Sequence, residues 1–237
     1  MTLEEFSNGF DTLVSSYRRF KDYDKLEQLD SIEFDEYEKS LYLTLSQQEL
    51  VVNLYNGKPS FSDAFEGTEE NRRYLDALVR TSVCEPSESG NIGMSSNSVF
   101  YLLPEDLAFI IYEQVTYYDD SLGCYNGSTA SVYPVTHDEY DRIRKNPFRG
   151  AGKHRVLRID SGRNLVELIS KYNFRDYMIR YISKPEPIIL EDLPEGLSID
   201  NKTKQTECKL TSVLHKVILE RAVQMALASK NIHVDNQ

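Results

Sequence analysis

The feature that most constrains this chain is a change in the spacing of its apolar residues. Near both ends they recur every three or four positions, which is typical of helices that bury one face. Between residues 84 and 210 they form short runs separated by Gly, Pro and Asn, which favours strands and turns. We therefore predict an α+β fold, with a helical region at 1–83, a central, mainly antiparallel β-rich region at 84–210, and a C-terminal helix at 211–237 that packs on the helical region.

Helix-capping patterns indicate where the N-terminal helices begin. Thr2 with Glu5 forms a capping box, and an apolar stripe follows it (Leu3, Phe6, Phe10, Leu13, Val14 and Tyr17). The acidic stretch 22–33 is predicted to be a connector. Thr44 with Gln47 predicts the start of a second helix, which Asn56-Gly57 ends, and Thr68 predicts the start of a third that continues through Val79.

The central region is predicted to contain a series of strands. Apolar residues of both parities in 107–118 predict a strand covered on both faces. Residues 118–128 are predicted to form a hairpin loop, and Thr136 with Glu139 predicts a short helix near 137–145. The predicted strands are 98–103, 107–118, 130–135, 154–159, 165–169 and 177–182.

Two segments near the C-terminus have distinct signals. Prolines at 185 and 187 remove backbone donors, so Lys184–Leu190 is predicted to be an edge or docking segment. Ser212 is predicted to cap the last helix, whose apolar face is Leu214, Val217, Ile218, Ala222, Met225 and Ala226.

The net charge of −11 is unevenly distributed. Residues 1–120 contain 24 Asp+Glu against 9 Lys+Arg, whereas residues 142–184 contain 12 Lys+Arg against 3 acids. The two regions either neutralise each other within the fold, or join the acidic face of one subunit to the basic face of another. The basic stretch would also suit nucleic-acid phosphates, but no RNP pattern, zinc finger or phosphate loop accompanies it.

No pattern of catalytic or metal-binding residues stands out. The four histidines (His137, His154, His215 and His233) fit no zinc motif, and the three cysteines (Cys84, Cys124 and Cys208) are widely spaced. There is no GxSxG motif. We therefore expect no enzyme activity and no catalytic, cofactor-binding or metal residues; an undetected paired-carboxylate hydrolase is the alternative. The apolar runs are too short for a membrane helix, and the acidic N-terminus is unlike a signal peptide.

The chain also contains 16 tyrosines and no tryptophan. Tyrosine is favoured where protein surfaces meet and also in ordinary β-sheets, and both readings stay open. The strand tyrosines are Tyr101, Tyr112, Tyr117, Tyr118, Tyr133, Tyr177 and Tyr181.

Several motifs together resemble the ring proteins of crAss-like bacteriophages, in particular the adaptor ring beneath the portal. The resemblance spans most of the chain. Its motifs are FDEYEKSLYLT (34–44), QELV (48–51), LYNG (54–57), FEGTEE (65–70), RRYL (72–75), YPVTHDEY (133–140), NPFR (146–149), IRYISKPEPIIL (179–190), LHKVIL (214–219) and AV (222–223).

The resemblance implies a structural protein of the virion that is made in the host cytoplasm. Copies would form a head-to-tail connector ring matched to the portal's twelve-fold symmetry, extend the DNA channel and seat the tail. The implied partners are the portal, neighbouring tail rings and double-stranded DNA that passes without specific binding; no membrane is implied. The alternatives are another virion component (a lower tail ring or a packaged protein) and a non-viral interaction module.

Overall fold

The computed structural model describes residues 1–19, 33–57, 67–87 and 92–230. The chain divides into two compact units, which we call the helical unit (Met1–Leu78 with Pro185–Gln237) and the barrel unit (Val79–Lys184). The predicted α+β fold with a central β-rich region is confirmed. The divisions at 78/79 and 184/185 differ from the sequence boundaries at 83/84 and 210/211. The connector predicted at 22–33 lies outside the described residues except for Glu33.

The helical unit begins with α1 (Leu3–Arg19). Its predicted capping box is present: Thr2 Oγ1 accepts a hydrogen bond from the Glu5 amide at 3.2 Å, and the Glu5 carboxylate accepts one from the Thr2 amide at 2.9 Å. The three-to-four spacing aligns the buried side chains Phe6, Phe10 and Val14 on one face.

Helix α2 (Glu36–Tyr55) begins earlier than the sequence predicted. Asp35 and Glu38 form its capping box, so the prediction that Thr44 and Gln47 cap this helix was wrong. Both lie in mid-helix and bond to another segment of the unit. The predicted end is confirmed, because Asn56 is the C-cap and Gly57 has a φ of 68°.

After α3 (Gly67–Leu75) a 3₁₀ turn, Asp76–Leu78, ends the first part of the helical unit. The last helix is α5 (Ser212–Ser229), and its N-cap is Thr211 rather than the predicted Ser212. Helices α2 and α5 make the most extensive contact between helices in the described residues. Two of the predicted face residues, Val217 and Met225, are only partly buried; the buried residues are Leu214, His215, Ile218, Leu219, Ala222, Val223, Ala226 and Leu227.

The segment after the prolines is buried, so the prediction that it lies at an edge or on a surface was wrong. Ile188 and Ile189 are fully buried and Leu190 is 6% exposed. Ile188 donates its amide hydrogen to Thr44 Oγ1 at 3.0 Å, and Leu190 donates to Ser40 Oγ at 3.0 Å. These α2 hydroxyls supply the partners that a sheet would otherwise give, which lets an extended segment enter a helical core.

Other contacts within the helical unit hold the same segment. Ile189 exchanges two backbone hydrogen bonds of 3.1 Å with Thr206, and Gln47 Nε2 donates to the Glu186 carbonyl at 2.9 Å. Apolar packing places this segment with the helices rather than with the strands, which explains why the unit boundary falls at 184/185.

Within the described part of the chain, seven strands close into a barrel. The strand order is β1-β2-β6-β5-β4-β3-β7, and β4 and β5 pair in parallel while the other neighbouring pairs are antiparallel. The strands are β1 (Val79–Pro86), β2 (Ser98–Leu102), β3 (Leu107–Tyr117), β4 (Thr129–Pro134), β5 (Arg155–Gly162), β6 (Leu165–Ile169) and β7 (Phe174–Ser183).

Strand β1 was not predicted. The sequence assigned Val79 to a helix and 85–91 to a loop, because the polar residues of this strand hide any alternation. Arg80, Thr81 and Glu85 are exposed, and Cys84 is the buried residue of the strand. Pairing with β7 and β2, which is not visible in local sequence, decides its conformation.

The prediction that both faces of β3 are covered was wrong for its first half. Ile111 and Tyr112 are 49% and 45% exposed. The pairing with β7 shifts register between Leu107 and Phe109 and again between Ile110 and Tyr112. A shift changes which face each side chain occupies, so apolar residues of both parities do not imply two buried faces.

The two connections next to β4 agree with the sequence. Residues between β3 and β4 form the predicted hairpin loop around a 3₁₀ turn, Asp120–Tyr125. Helix α4 (His137–Ile143) joins the parallel strands β4 and β5, and Thr136 caps it by accepting a hydrogen bond from the Glu139 amide.

We expect Ile218→Ala to destabilise the helical unit, because Ile218 is fully buried on α5. Removing a buried Ile side chain costs about 2–5 kcal/mol, which urea denaturation would measure. Val213→Ala on the same helix is the control, since Val213 is 65% exposed. Equal stability of the two variants would contradict a core role for this face of α5.

We expect Thr44→Val to lower the free energy of unfolding by about 1–3 kcal/mol, because it leaves the buried Ile188 amide without its acceptor. Thr12→Val is a matched control, since the Thr12 hydroxyl is exposed and bonds only within α1. If both variants melt at the wild-type temperature, the hydroxyl contacts do not hold the segment.

Candidate interaction surface

The interior of the barrel unit is filled by side chains, including a buried ion pair. Arg158 Nη1 lies 2.8 Å from Glu113 Oε1, and the two side chains are 10% and 6% exposed. The Tyr177 hydroxyl donates a hydrogen bond to the same carboxylate. Arg158 also reaches Asp160, with Nε 3.2 Å from Oδ1. This network joins β3, β5 and β7 across the inside of the barrel.

The pKa values of these groups follow from burial and charge. Burial raises the pKa of the Cys84 thiol to about 12, and Glu113 adds to the shift. Burial and the neighbouring Glu113 also raise the pKa of Tyr177. Burial lowers the pKa of Arg158, but Glu113 and Asp160 outweigh it and the net shift is upward. A raised thiol pKa disfavours the reactive thiolate form of Cys84 near neutral pH.

The histidines that were considered as candidate site residues lie in different structural elements. His137 starts α4, and His154 contacts the Tyr125 ring. His215 packs against Phe6, with 5.3 Å between ring centroids, and burial lowers its pKa. His233 lies outside the described residues. Among the residues that are described, no group of three or more His, Cys, Asp or Glu is placed to hold a metal ion.

The three cysteines form no disulfide bond: Cys84, Cys124 and Cys208 are free thiols. No helix in the described ranges combines the length and apolar character that crossing a membrane would require.

The charge asymmetry follows the two units. The helical unit contains 25 Asp+Glu against 14 Lys+Arg, while the barrel unit contains 13 of each. The barrel therefore balances much of its own basic stretch, as in the pairs of Arg158 with Glu113 and Arg175 with Asp176. Residues 142–155 are different, since they contain six Lys+Arg and no acid.

This basic run covers the end of α4, the loop that follows it and the first residue of β5, and the conformation of the loop is closely specified. Asn146 Oδ1 accepts a hydrogen bond from the Phe148 amide at 2.9 Å, and the Asn146 carbonyl accepts one from Gly150 at 2.8 Å. A Cβ at Gly150 would lie 3.0 Å from the Asn146 carbonyl oxygen, so a side chain there would crowd the turn. Arg155 Nη1 donates to the Phe148 carbonyl at 3.1 Å and closes the loop.

The loop presents an unusually exposed aromatic residue among cations that lie on tyrosines. Phe148 is 89% exposed. Lys153 Nζ lies 5.0 Å from the centroid of the Tyr125 ring, and Arg155 Cζ lies 4.4 Å from that of Tyr133. Aromatic residues and Arg are enriched at protein interfaces. We call this set the basic–aromatic surface: Tyr125, Tyr133, Phe148, Arg149, Lys153 and Arg155.

The structure divides the strand tyrosines into a buried and an exposed group. Four belong to the barrel core (Tyr101, Tyr117, Tyr177 and Tyr181). The other three are exposed (Tyr112, Tyr118 and Tyr133), and among these Tyr133 belongs to the basic–aromatic surface.

The helical unit has an open cleft of about 320 Å³. Its lining includes two apolar residues, Leu3 and Leu190, and three carboxylates, Glu4, Glu36 and Glu191. Glu36 pairs with the buried Lys39 at 2.9 Å, whereas Glu4 and Glu191 are exposed. The cleft therefore combines apolar and negative character.

Comparison with known proteins identifies the class of protein. All 237 residues match a family model described as phage tail ring protein 3/4. The chain is 47% identical over 231 residues to Ring protein 3 of Bacteroides phage crAss001, covering 97% of this chain and 96% of that protein. It is 31% identical over 241 residues to Ring protein 4/5 of the same phage, covering 97% and 93%.

The chain is therefore a ring structural protein of crAss-like phages, and the resemblance seen in the sequence is confirmed. It belongs to the phage tail ring protein 3/4 family. Sequence reasoning had singled out the NPFR motif and the basic run, but not the surface they form. The tyrosines that complete this surface come from a hairpin loop and from β4, so local sequence gives no sign of their contact with Lys153 and Arg155.

We expect Arg158→Leu to destabilise the barrel unit by about 3–5 kcal/mol, because it leaves the buried Glu113 carboxylate without its cation. The double variant Glu113→Leu with Arg158→Leu should regain much of this loss, since no unpaired charge remains. Urea denaturation of the wild type, both single variants and the double variant measures the coupling. Losses that simply add would contradict a direct pair.

Proposed function

We propose that copies of this chain form a closed ring in the head-to-tail connector of a phage particle, where the ring extends the DNA channel and seats the tail. The single observation that carries the proposal is the match of the whole chain to a tail ring protein family, with 47% identity to Ring protein 3. The ring would carry twelve copies if it follows the symmetry of a twelve-fold portal. Its role is structural and involves no chemical step.

The charge distribution supports such an assembly. A ring of identical subunits needs two different faces on each subunit that fit each other head to tail. The helical unit has the whole net charge of −11, while the barrel unit is balanced and has a local basic–aromatic surface. Unlike faces on one chain suit a heterologous contact. An overall negative ring also repels DNA phosphates, which favours passage without specific binding.

Two positions of the ring in the virion are candidates, and they differ in the proteins that the ring binds. In the first, the ring docks directly on the portal as an adaptor in the neck of the virion. In the second, it stacks with related rings lower in the tail. The second is favoured by the similarity of this chain to two proteins of one phage, named Ring protein 3 and Ring protein 4/5.

Electron-microscopy class averages of the purified protein, alone and mixed with the portal or with a related ring protein, would test both candidates. Rings that bind the portal end-on would support the adaptor, and rings that bind only another ring protein would support the stack. A protein that stays monomeric in all three samples would contradict the proposal.

We expect ring assembly to weaken as the salt concentration rises, because exposed ion pairs are screened and each contributes only about 0.2–1 kcal/mol. Sedimentation velocity at low and high ionic strength measures this. Assembly that is indifferent to salt would indicate an apolar interface instead. A gel shift with double-stranded DNA is the companion assay, in which we expect at most weak binding that disappears with salt.

A further inference from the structure

We propose that the basic–aromatic surface of one subunit docks into the acidic cleft of a second copy of this chain, with Phe148 against Leu3, and with Arg149 and Lys153 beside Glu4 and Glu191. This inference rests on the proposed ring, since it assigns the two faces that join neighbouring subunits. It adds the residues and the kind of contact, which ring formation alone does not specify.

Phe148 is presented by a loop whose backbone is held by several hydrogen bonds. An exposed phenylalanine is costly in water, yet this one sits on a turn that is held by the Asn146 side chain, by the Gly150 amide and by the Arg155 guanidinium. At the base of the loop, Ile143 and Ala151 pack against a buried cluster of the barrel unit. Binding through a loop whose backbone is already held costs less conformational entropy, so Phe148 suits an anchor.

The composition of the surface favours a protein partner over a nucleic acid. Phosphates attract the cations of this surface, but a fully exposed phenylalanine gains nothing from a duplex backbone. Tyrosine, phenylalanine and arginine together are the composition of a protein interface core. Lys153 and Arg155 also lie over tyrosine rings, which fixes their positions before any partner arrives. The surface therefore fits a protein with an apolar and acidic recess.

This chain itself contains a recess with acidic character. The open cleft of the helical unit, about 320 Å³ in volume, is lined by Leu3, by the largely buried Leu190 and by three carboxylates, Glu4, Glu36 and Glu191. Lys39 already neutralises Glu36, so Glu4 and Glu191 are the carboxylates left to meet new cations. The cleft lies in the unit that has the net negative charge, and the surface lies in the other unit. Each copy thus has both halves of a head-to-tail contact.

Charge reversal gives the central test. One variant has Arg149→Glu with Lys153→Glu, and the other has Glu4→Lys with Glu191→Lys. Each alone places like charges against each other, so we expect its assembly to weaken about 100-fold. Mixed in equal amounts, the two variants should form rings again, because reversed surface meets reversed cleft and native surface meets native cleft in alternation. Sedimentation velocity and negative-stain images provide the readout.

A matched control is Arg163→Glu with Arg180→Glu, which makes the same change of charge at two exposed basic residues of the barrel outside the surface. It should assemble as the wild type does. Phe148→Ala tests the apolar part of the contact, and we expect subunit association to weaken about 30-fold, the loss typical of an interface hot spot. Thermal denaturation of every variant confirms that it is folded.

The outcomes separate this inference from the proposed ring. If the wild type forms rings and the folded reversal variants form them equally well, the docking contact is wrong and the ring stands. If each reversal weakens assembly but the mixture does not restore it, surface and cleft do not meet and the inference is again wrong. Loss of DNA binding with intact rings in the Arg149/Lys153 variant would reassign the surface to DNA. A wild type that forms no ring overturns both proposals.

Discussion

The helical unit depends on hydrogen bonds from a helix to an extended segment that has little sheet to pair with. Ile188–Leu190 is buried, and a buried backbone amide without an acceptor is costly. Thr44 and Ser40 supply acceptors from one face of α2, and Thr206 supplies the remaining backbone pair. These contacts let the three apolar side chains of Ile188–Leu190 be buried within the helical unit. Without the hydroxyls of Thr44 and Ser40, the amides of Ile188 and Leu190 would be buried without acceptors.

The barrel unit buries charged groups rather than backbone amides, and these groups also need partners. Its interior includes Glu113 and Arg158, which are stable there because each is the partner of the other and Tyr177 donates to the carboxylate. Such a pair contributes less to stability than apolar packing would, but it penalises any strand arrangement that separates the two. Because the pair spans β3 and β5, which flank β4 in the barrel, it favours the correct order of strands. We infer that the ion pair favours one arrangement of the strands over others.

The barrel unit supports the α4–β5 loop that presents Phe148. Ile143 and Ala151 pack against a buried cluster at the two ends of the loop, and Arg155 bonds to the Phe148 carbonyl. The helical unit has the negative charge and an open cleft. In a ring protein, one chain must supply both sides of each contact. The division of charge between the two units suits the head-to-tail contact proposed above.

The class of the fold, most strands, the α1 and α4 caps, the end of α2 and the family could be predicted from the sequence. Each of these is encoded locally, by period, capping residue or motif. The remaining features depend on tertiary contacts. Strand β1 is made by its neighbours, Thr44 bonds across the core rather than capping a helix, and Ile188–Leu190 is buried because α2 offers hydroxyls. The basic–aromatic surface likewise needs Tyr125 and Tyr133 beside a distant loop. These features depend on contacts between residues far apart in sequence, whose energies no local pattern contains.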